Sequence, residues 1–183
     1  MPLHVFGYGS LMWRPGFSFQ TRQFATLRGR HRRLCVLSHV HRGTPARPGL
    51  VMGLDRGGAC RGVLFEVGDG DRDDVVAYLR AREQVTFVYQ ERVVPVRCDD
   101  GSLVDALTYV VDREHKQYAG ALTLEDTIGI VRGAVGQSGK NEDYVLSTAQ
   151  HLREAGVQDQ RLFKLAEALS PGGGTASQMR SAG

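Results

Sequence analysis

The sequence contains no long apolar run. None of its apolar segments approaches the ~20 residues that a membrane-spanning helix needs, and no basic stretch followed by an apolar core stands near position 1. With 42% hydrophobic and 23% charged residues, the 183-residue chain has the composition of a globular protein. We therefore expect a soluble, cytoplasmic protein with a single domain over residues 1–169. The small polar residues of 170–183 predict a disordered tail.

Cysteine is scarce and unpaired. Cys35, Cys60 and Cys98 are far apart and form no CxxC pair, so the sequence predicts neither a disulfide framework nor a cysteine-based zinc site. His39 and His41 have no local cluster of Cys, His or carboxylate residues that would complete a metal site. We expect no metal site, and the cysteine pattern fits a reducing compartment.

A strong excess of one charge is also lacking. The formal net charge is +3, which suits a small acidic substrate at least as well as a nucleic acid. Basic residues concentrate in the stretch Arg28–Arg33. This stretch is consistent with a phosphate-binding patch or with a hairpin that turns its arginines to solvent. The hairpin is favoured, because no aromatic residues are interleaved for base stacking.

What the sequence does have is a distinctive opening stretch. The apolar residues Leu3, Val5 and Phe6 lead directly into Gly7-Tyr8-Gly9-Ser10-Leu11. This pattern predicts a buried strand that ends in a tight turn. The backbone N–H groups of Gly9, Ser10 and Leu11 could converge on a carboxylate or on the oxyanion of an attacked carbonyl. The alternative is an ordinary turn in which glycine supplies a positive φ.

The central part of the chain predicts strands around one helix. Strands are expected at 50–54 and 62–67, joined by a hairpin turn at 55–58. The pattern of 71–82 predicts a helix that delivers Glu83 to a junction with a further strand at 85–89. Beyond it, 93–97 and 103–111 are predicted to pair across a turn.

Helices dominate from Thr123 onward. Thr123 predicts an N-cap, Asn141 predicts the N-cap of a helix that runs to about Ala155, and 159–169 predict a last helix. The glycine-rich connection between Gly133 and Lys140 does not have the spacing of a phosphate-binding loop.

Four motifs, in this order, resemble those of the ChaC-type, glutathione-specific γ-glutamylcyclotransferases. They are Val5–Trp13, His41–Pro45 with Pro48 and Gly49, Arg82–Glu83, and Gly136-x-Ser138-Gly139-x-Asn141-x-x-Tyr144. The resemblance runs from Val5 to Phe163. One departure follows Glu83, where some members of the family have glycines and this chain has Gln84-Val85-Thr86-Phe87.

The resemblance implies an α+β protein with the γ-glutamylcyclotransferase fold, a small mixed β-barrel with packed helices. It implies cleavage of the γ-glutamyl bond of glutathione into 5-oxoproline and cysteinylglycine, without a metal or an organic cofactor. In such a reaction the α-amine attacks its own γ-carbonyl, and holding the substrate bent supplies much of the rate. A carboxylate that takes a proton from the α-ammonium and returns one to the leaving amine would complete the chemistry.

Glu83 is our candidate for this acid/base role, although a glutamate beside Arg80 and Arg82 could also be a simple surface ion pair. By the same resemblance, Tyr8, Gly9, Ser10 and Leu11 hold the γ-glutamyl group. Tyr144 is a candidate donor to a substrate carboxylate, or a core tyrosine with its hydroxyl at the rim. Arg42 is a candidate contact for the glycyl carboxylate. The cysteines are poor nucleophile candidates, because each lies in or beside an apolar strand without an activating base.

Two other functions remain open. The first keeps the fold and the acid but changes the substrate to another γ-glutamyl amide or amine. The second is a non-catalytic module that presents Arg28–Arg33 to nucleic acid, which would bind in a strongly salt-dependent manner. The turn and the acid favour the enzyme, so we expect a small-molecule substrate and neither a nucleic-acid nor a membrane partner.

Overall fold

The computed structural model describes residues 2–171. From residue 172 onward, the predicted tail lies outside the described residues. The strands are β1 (Leu3–Gly7), β2 (Thr21–Ser38), β3 (Gly49–Val67), β4 (Tyr89–Cys98), β5 (Leu103–Val111), β6 (Val135–Gly136) and β7 (Gly139–Lys140), and the helices are α1 (Arg72–Glu83), α2 (Leu124–Val131), α3 (Asn141–Glu154) and α4 (Gln160–Leu169). No helix among these residues is long and apolar enough to cross a membrane.

The chain divides into two compact units. Among the described residues, the first contains 2–36 together with Met52–Gly120, and the second contains Leu37–Val51 together with 121–171. The first unit therefore holds the five long strands, apart from one end each of β2 and β3, as well as α1. The second holds α2, α3, α4 and the short β6–β7 hairpin. The sequence-based expectation of a single domain stays a prediction.

The five long strands form a closed barrel in the order β1-β3-β2-β4-β5. β1 pairs antiparallel with β3, from Leu3 opposite Val67 to Gly7 opposite Val63. On its other side β1 pairs in parallel with β5, at Val5 opposite Leu107. Many apolar side chains of these strands, among them Val5, Phe65 and Val96, are fully buried, which drives barrel formation. The predicted α+β class and mixed barrel are confirmed.

Two predicted hairpins are wrong. The stretch Arg28–Arg33 lies inside the continuous strand β2, and the predicted turn at 55–58 lies inside the continuous strand β3. The glycines that suggested turns instead allow a local distortion within each strand, since Gly57 and Gly58 have φ angles of 98° and 66°.

Helix α1 forms as predicted and ends at Glu83. Its N-terminal turn carries Asp73 and Asp74 and its last turn carries Arg80 and Arg82, which complements the helix dipole. The strand predicted at 85–89 is wrong, because β4 begins only at Tyr89. Residues 84–88 form an irregular connection instead.

The helices of the second unit follow the predicted pattern, with one correction. Thr123 caps α2 by accepting a hydrogen bond from the Asp126 N–H, and α4 packs against both α2 and α3. Asn141 is not the N-cap of α3 but its first residue, and it is completely buried. Its side-chain oxygen accepts from the Leu50 N–H at 2.7 Å and its amide nitrogen donates to the Leu50 carbonyl at 2.8 Å. Asn141 therefore fixes the start of α3 to the start of β3.

Candidate active site

The turn after β1 continues into a short 3-10 helix, Ser10–Met12, with Gly9 as its N-cap. Gly7 and Gly9 do not have positive φ angles, so the interpretation as an ordinary positive-φ turn is wrong. Space around Gly7 is tight instead, because a Cβ there would lie 3.0 Å from the Leu11 Cβ. The Ser10 and Leu11 N–H groups stand at the start of this helix, where no preceding helical carbonyl can accept from them.

A buried arginine of β2 supports this turn, and sequence reasoning missed it. Arg32 is only 8% exposed. Its Nε donates to the Tyr8 carbonyl, and its Nη2 donates to the Arg61 carbonyl at 2.7 Å. The signal was available, because Arg32 has the same strand parity as the buried residues Leu34 and Val36 and must share their face.

Glu83 lies at the end of α1, and its side chain is 19% exposed. Among the described residues it forms one ion pair, with Arg82 Nε 3.4 Å from its Oε1. Burial raises the pKa of the Glu83 carboxyl, and the positive charge of Arg82 offsets only part of this effect. The environment therefore favours a carboxyl that binds and releases a proton nearer to neutral pH than an exposed glutamate does.

Of the two ion pairs considered from the sequence, Glu83 forms the one with Arg82 and not the one with Arg80. Arg80 binds Glu91 of β4 with two hydrogen bonds of 2.8 Å. Glu91 also accepts a 3.0 Å hydrogen bond from the hydroxyl of buried Tyr109. Burial, the bond to Glu91 and the nearby charge of Glu83 all raise the pKa of Tyr109, so its hydroxyl stays protonated beside Glu83.

The first unit brings two of the four motifs together. Arg82 Nη2 donates to the Ser10 hydroxyl at 2.8 Å, which joins the Tyr8–Leu11 turn to the end of α1. The candidate oxyanion donors and the candidate acid/base are thus connected through a single guanidinium group. The sequence predicted that the two motifs belong to one site, but it did not predict the hydrogen bond that joins them.

The second unit brings the other two motifs together. Gln137 N–H donates to the Val40 carbonyl at 2.8 Å, and Ser138 N–H donates to the His41 carbonyl at 2.9 Å. Arg42 Nη1 donates to the Ser138 carbonyl at 2.7 Å. The segments 40–42 and 137–138 therefore form one hydrogen-bonded structure.

Arg42 and Tyr144 are neighbours within this unit. The guanidinium carbon of Arg42 lies 5.2 Å from the centre of the Tyr144 ring, a cation–π arrangement. Nη1 of Arg42 also donates to the Lys140 carbonyl at 3.3 Å. Arg42 thus stabilises the β6–β7 connection, and a contact of either side chain with a substrate carboxylate stays a prediction.

The remaining titratable groups form no further reactive cluster within residues 2–171. No group of three or more His, Cys, Asp or Glu side chains there is arranged to hold a metal ion. The three cysteines are buried and not bonded to one another. Burial raises the pKa of Cys35 to about 12, which keeps its thiol protonated and weakly nucleophilic.

Solved structures with the same architecture identify the fold. A crystal structure of a selenomethionine-labelled γ-glutamyl cyclotransferase specific to glutathione, from yeast, superposes with a TM-score of 0.81 over 92% of this chain and 95% of that one, at 23% identity. Another γ-glutamyl cyclotransferase superposes with a TM-score of 0.54 over 93% of this chain, at 15% identity. The barrel and helices described above therefore constitute the γ-glutamylcyclotransferase fold, as the family resemblance implied.

Sequence comparison then gives the family. The family model described as ChaC-like protein matches residues 3–171. A glutathione-specific γ-glutamylcyclotransferase of Escherichia coli is 32% identical over 164 residues, which are 90% of this chain and 71% of that protein. The glutathione-specific γ-glutamylcyclotransferase 1 of Homo sapiens is 31% identical over 173 residues, which are 91% of this chain and 78% of that protein. The chain belongs to the ChaC-like family.

Proposed function

We propose that this chain is a γ-glutamylcyclotransferase that cleaves glutathione into 5-oxoproline and cysteinylglycine. Membership of the ChaC-like family and the activity named for its relatives support this proposal. The single observation that carries it is the placement of Glu83, a largely buried carboxyl with a raised pKa, joined through Arg82 to the Tyr8–Leu11 turn.

The reaction begins with removal of a proton from the substrate's α-ammonium group. The Glu83 carboxylate accepts this proton, and the freed amine attacks the γ-carbonyl carbon to close a five-membered ring. A raised pKa makes Glu83 a stronger base than an exposed glutamate, and it brings its proton affinity closer to that of the groups it serves. Intramolecular attack in a well-held substrate has an effective molarity of roughly 10⁵ M or more.

Collapse of the tetrahedral intermediate completes the reaction. The C–N bond to cysteine breaks, and protonated Glu83 returns its proton to the leaving amine. Backbone N–H groups of the turn stabilise the oxyanion, and one such donor contributes about 3 kcal/mol in the transition state. In this mechanism Tyr8, Gly9, Ser10 and Leu11 hold the γ-glutamyl group.

Two further substrate contacts are proposed with the same reaction. Arg42 supplies a positive charge for the glycyl carboxylate, and Tyr144 supplies a hydroxyl donor to a substrate carboxylate. Three widely separated cysteines that form no disulfide with one another fit a reducing compartment, and we propose the cytoplasm.

Product analysis tests the proposal. The purified chain is incubated with reduced glutathione, and 5-oxoproline and cysteinylglycine are quantified by mass spectrometry. We expect equal amounts of both products from the wild type and almost none from Glu83→Gln. Glu154→Gln is the matched control, because Glu154 is exposed on α3 and bonds only to Gln150 among the described residues.

Each alternative gives a different result. Intact glutathione together with cyclisation of other γ-glutamyl amides would contradict the substrate and retain the reaction. Full activity of Glu83→Gln would contradict the acid/base role. Salt-dependent binding of nucleic acid, with no turnover of any γ-glutamyl compound, would favour the binding module over the enzyme.

A further inference from the structure

The Arg82 guanidinium is the centre of a hydrogen-bond network at the end of α1. Its Nη1 donates to the Tyr78 hydroxyl at 2.9 Å and to the carbonyls of Arg14 and Pro15 at 3.0 and 3.3 Å. Its Nη2 donates to the Ser10 hydroxyl at 2.8 Å. One side chain on α1 therefore contacts the turn after β1 and also the segment that follows it.

The segment that follows the turn, residues 14–16, has a backbone conformation that allows this contact. Gly16 has a φ of 75°, and a Cβ at this position would lie 2.1 Å from the Tyr78 hydroxyl oxygen. Any other residue would displace Tyr78 from the place where it accepts from Arg82. The backbone of 14–16 is therefore held against α1. Arg82 donates both to carbonyls of this segment and to the Tyr78 hydroxyl.

The third nitrogen of the same guanidinium, Nε, lies 3.4 Å from Glu83 Oε1. Both side chains are largely buried, at 23% and 19% exposure. A planar guanidinium presents donors in fixed directions, whereas a lysine ammonium is a single point charge on a flexible stem. Only an arginine can therefore serve the Ser10 hydroxyl, the Arg14 carbonyl and the Glu83 carboxylate at once.

We propose that Arg82 is a positioning residue that holds the Tyr8–Leu11 turn and the Glu83 carboxylate in fixed register with each other. The inference rests on the proposed function, because it assigns to Arg82 the alignment of the oxyanion donors with the acid/base. Arg82 acts through Ser10 and Glu83 and has no proposed contact with the substrate. Its loss leaves both groups present but misaligned, and a misplacement of about 1 Å costs on the order of 100-fold in rate.

The charge and the shape of Arg82 have separable effects. Other titratable groups around Glu83 are Tyr109 of β5 and, hydrogen-bonded to it, Glu91 of β4, which is paired with Arg80. Arg82 lowers the pKa of Glu83, so removing its charge raises that pKa further. The acidic limb of the kcat/KM profile, where Glu83 must be ionised, then moves to higher pH.

Two variants separate charge from shape. Arg82→Lys retains the charge and loses the donor geometry, so we expect kcat to fall by about 10-fold to 100-fold with the acidic limb unmoved. Arg82→Gln loses both, so we expect a similar or larger fall in kcat together with an acidic limb at higher pH. Arg61→Gln is the matched control, because its guanidinium bonds Asp99 on the surface. All comparisons are normalised to the folded fraction.

A double-mutant cycle tests the path through Ser10. Ser10→Ala removes the acceptor of Nη2 without touching Glu83. If Arg82 acts through this contact, the two single substitutions are not independent. The fold-decrease in kcat of the double variant Ser10→Ala/Arg82→Lys is then clearly smaller than the product of the two single fold-decreases. Independent, multiplicative losses would overturn this path.

A measurement without substrate keeps the inference separate from the proposed function. The Glu83 carboxyl carbon is titrated by NMR, assigned with Glu83→Gln, and hydrogen exchange of the Gly9, Ser10 and Leu11 amides is followed. We expect a higher Glu83 pKa in Arg82→Gln and faster exchange at the turn in both Arg82 variants. These results would uphold the positioning role even if the wild type left glutathione intact. Unchanged titration and exchange, or wild-type kcat in Arg82→Lys, would overturn it.

Discussion

Two buried carboxyl groups in the barrel unit, Glu83 and Asp55, have opposite electrostatic environments. The Asp55 side chain is completely inaccessible to solvent, and that of Glu83 is 19% exposed. Burial alone would raise both pKa values. The pKa of Glu83 is indeed raised, yet that of Asp55 is lowered.

The number of donors explains the difference. Asp55 accepts from Arg113 Nε at 2.7 Å, from the Arg56 N–H at 2.8 Å and from the Tyr118 hydroxyl at 3.0 Å, and Arg33 lies 3.6 Å away. These bonds outweigh desolvation and keep the carboxylate charged. Glu83 has the single ion pair with Arg82 among the described residues. The three hydrogen bonds to Asp55 stabilise its charged form, whereas the environment of Glu83 favours its protonated form.

The largest effect is expected on activity. Glu83→Gln should lower kcat/KM by about 10²-fold to 10⁴-fold, the usual contribution of a general acid/base. The free energy of unfolding at pH 7 should not decrease, because the substitution removes a poorly compensated buried charge. Steady-state kinetics and urea denaturation on the same preparation check both statements. If the activity of Glu83→Gln fell only in proportion to the fraction of folded protein, Glu83 would be a structural carboxyl like Asp55, and the expected difference between the two would be contradicted.

The opposite pattern is expected for Asp55→Asn. Removing one partner of a buried ion pair leaves the others uncompensated, so the free energy of unfolding should fall by about 3–5 kcal/mol. The folded fraction should keep wild-type kcat. Urea denaturation at pH 7 measures the first quantity and normalised kinetics the second. A fall of less than about 1 kcal/mol, the range of surface ion pairs, would mean that the Asp55 cluster is not structural.

A smaller decrease in the free energy of unfolding is expected when Asp55 keeps its charge but loses one hydrogen-bond donor. Tyr118→Phe deletes the hydroxyl that lies 3.0 Å from Asp55 Oδ2. A hydrogen bond to a charged group contributes roughly 1.5–3 kcal/mol, and the free energy of unfolding should fall within that range. In the Asp55→Asn background the same substitution should cost clearly less. Equal costs in both backgrounds would show that the hydroxyl acts independently of the carboxylate.

The smallest effect is a difference in the pH dependence of stability. The pKa of Asp55 is lower in the folded chain, so its contribution is complete above the unfolded value near ~3.9 and is lost as pH falls through the folded pKa. The pKa of Glu83 is raised, so its ionisation reduces stability as pH rises from ~4.3 to the folded pKa.

Subtracting the variants isolates these two contributions. The stability difference between the wild type and Asp55→Asn should shrink below about pH 4, where the unfolded chain binds the proton first. The difference between Glu83→Gln and the wild type should grow above about pH 4 and then level off. Unfolding measured at closely spaced pH values checks both signs. The same sign for both carboxyls would contradict their opposite pKa shifts.

Local signals predicted much of the fold. β1, α1 and the β4–β5 pair follow directly from apolar alternation, helical periodicity and charge at the helix ends. Strand continuity was harder to predict, because Gly57 and Gly58 have the composition of a turn, yet β3 continues through them. Val85 and Phe87 have strand-forming side chains, yet they are 65% and 71% exposed, and pairing with β5 starts only at Tyr89.

In the candidate site, too, local patterns identified residues but not the contacts between them. The identity of Glu83 and of the Tyr8–Leu11 turn followed from the motifs, and their roles stay predictions. The connection between them did not follow, because Arg82 and Ser10 are 72 positions apart in the sequence. The burial of Asn141 against Leu50 is equally invisible locally, since 91 positions separate the partners. Sequence patterns identify such side chains, and the tertiary fold decides what they contact.

The parallel pairing of β1 with β5 has a consequence for the order of events during synthesis. Val5 and its partner Leu107 are far apart in the sequence, and β1 is complete on both sides only when β5 is present. At ~5–20 residues per second, a ribosome needs roughly 5–20 s to advance from one partner to the other. One edge of β1 therefore stays unpaired while most of the barrel is translated. Enzymatic activity in a nascent chain would accordingly report that barrel closure has finished.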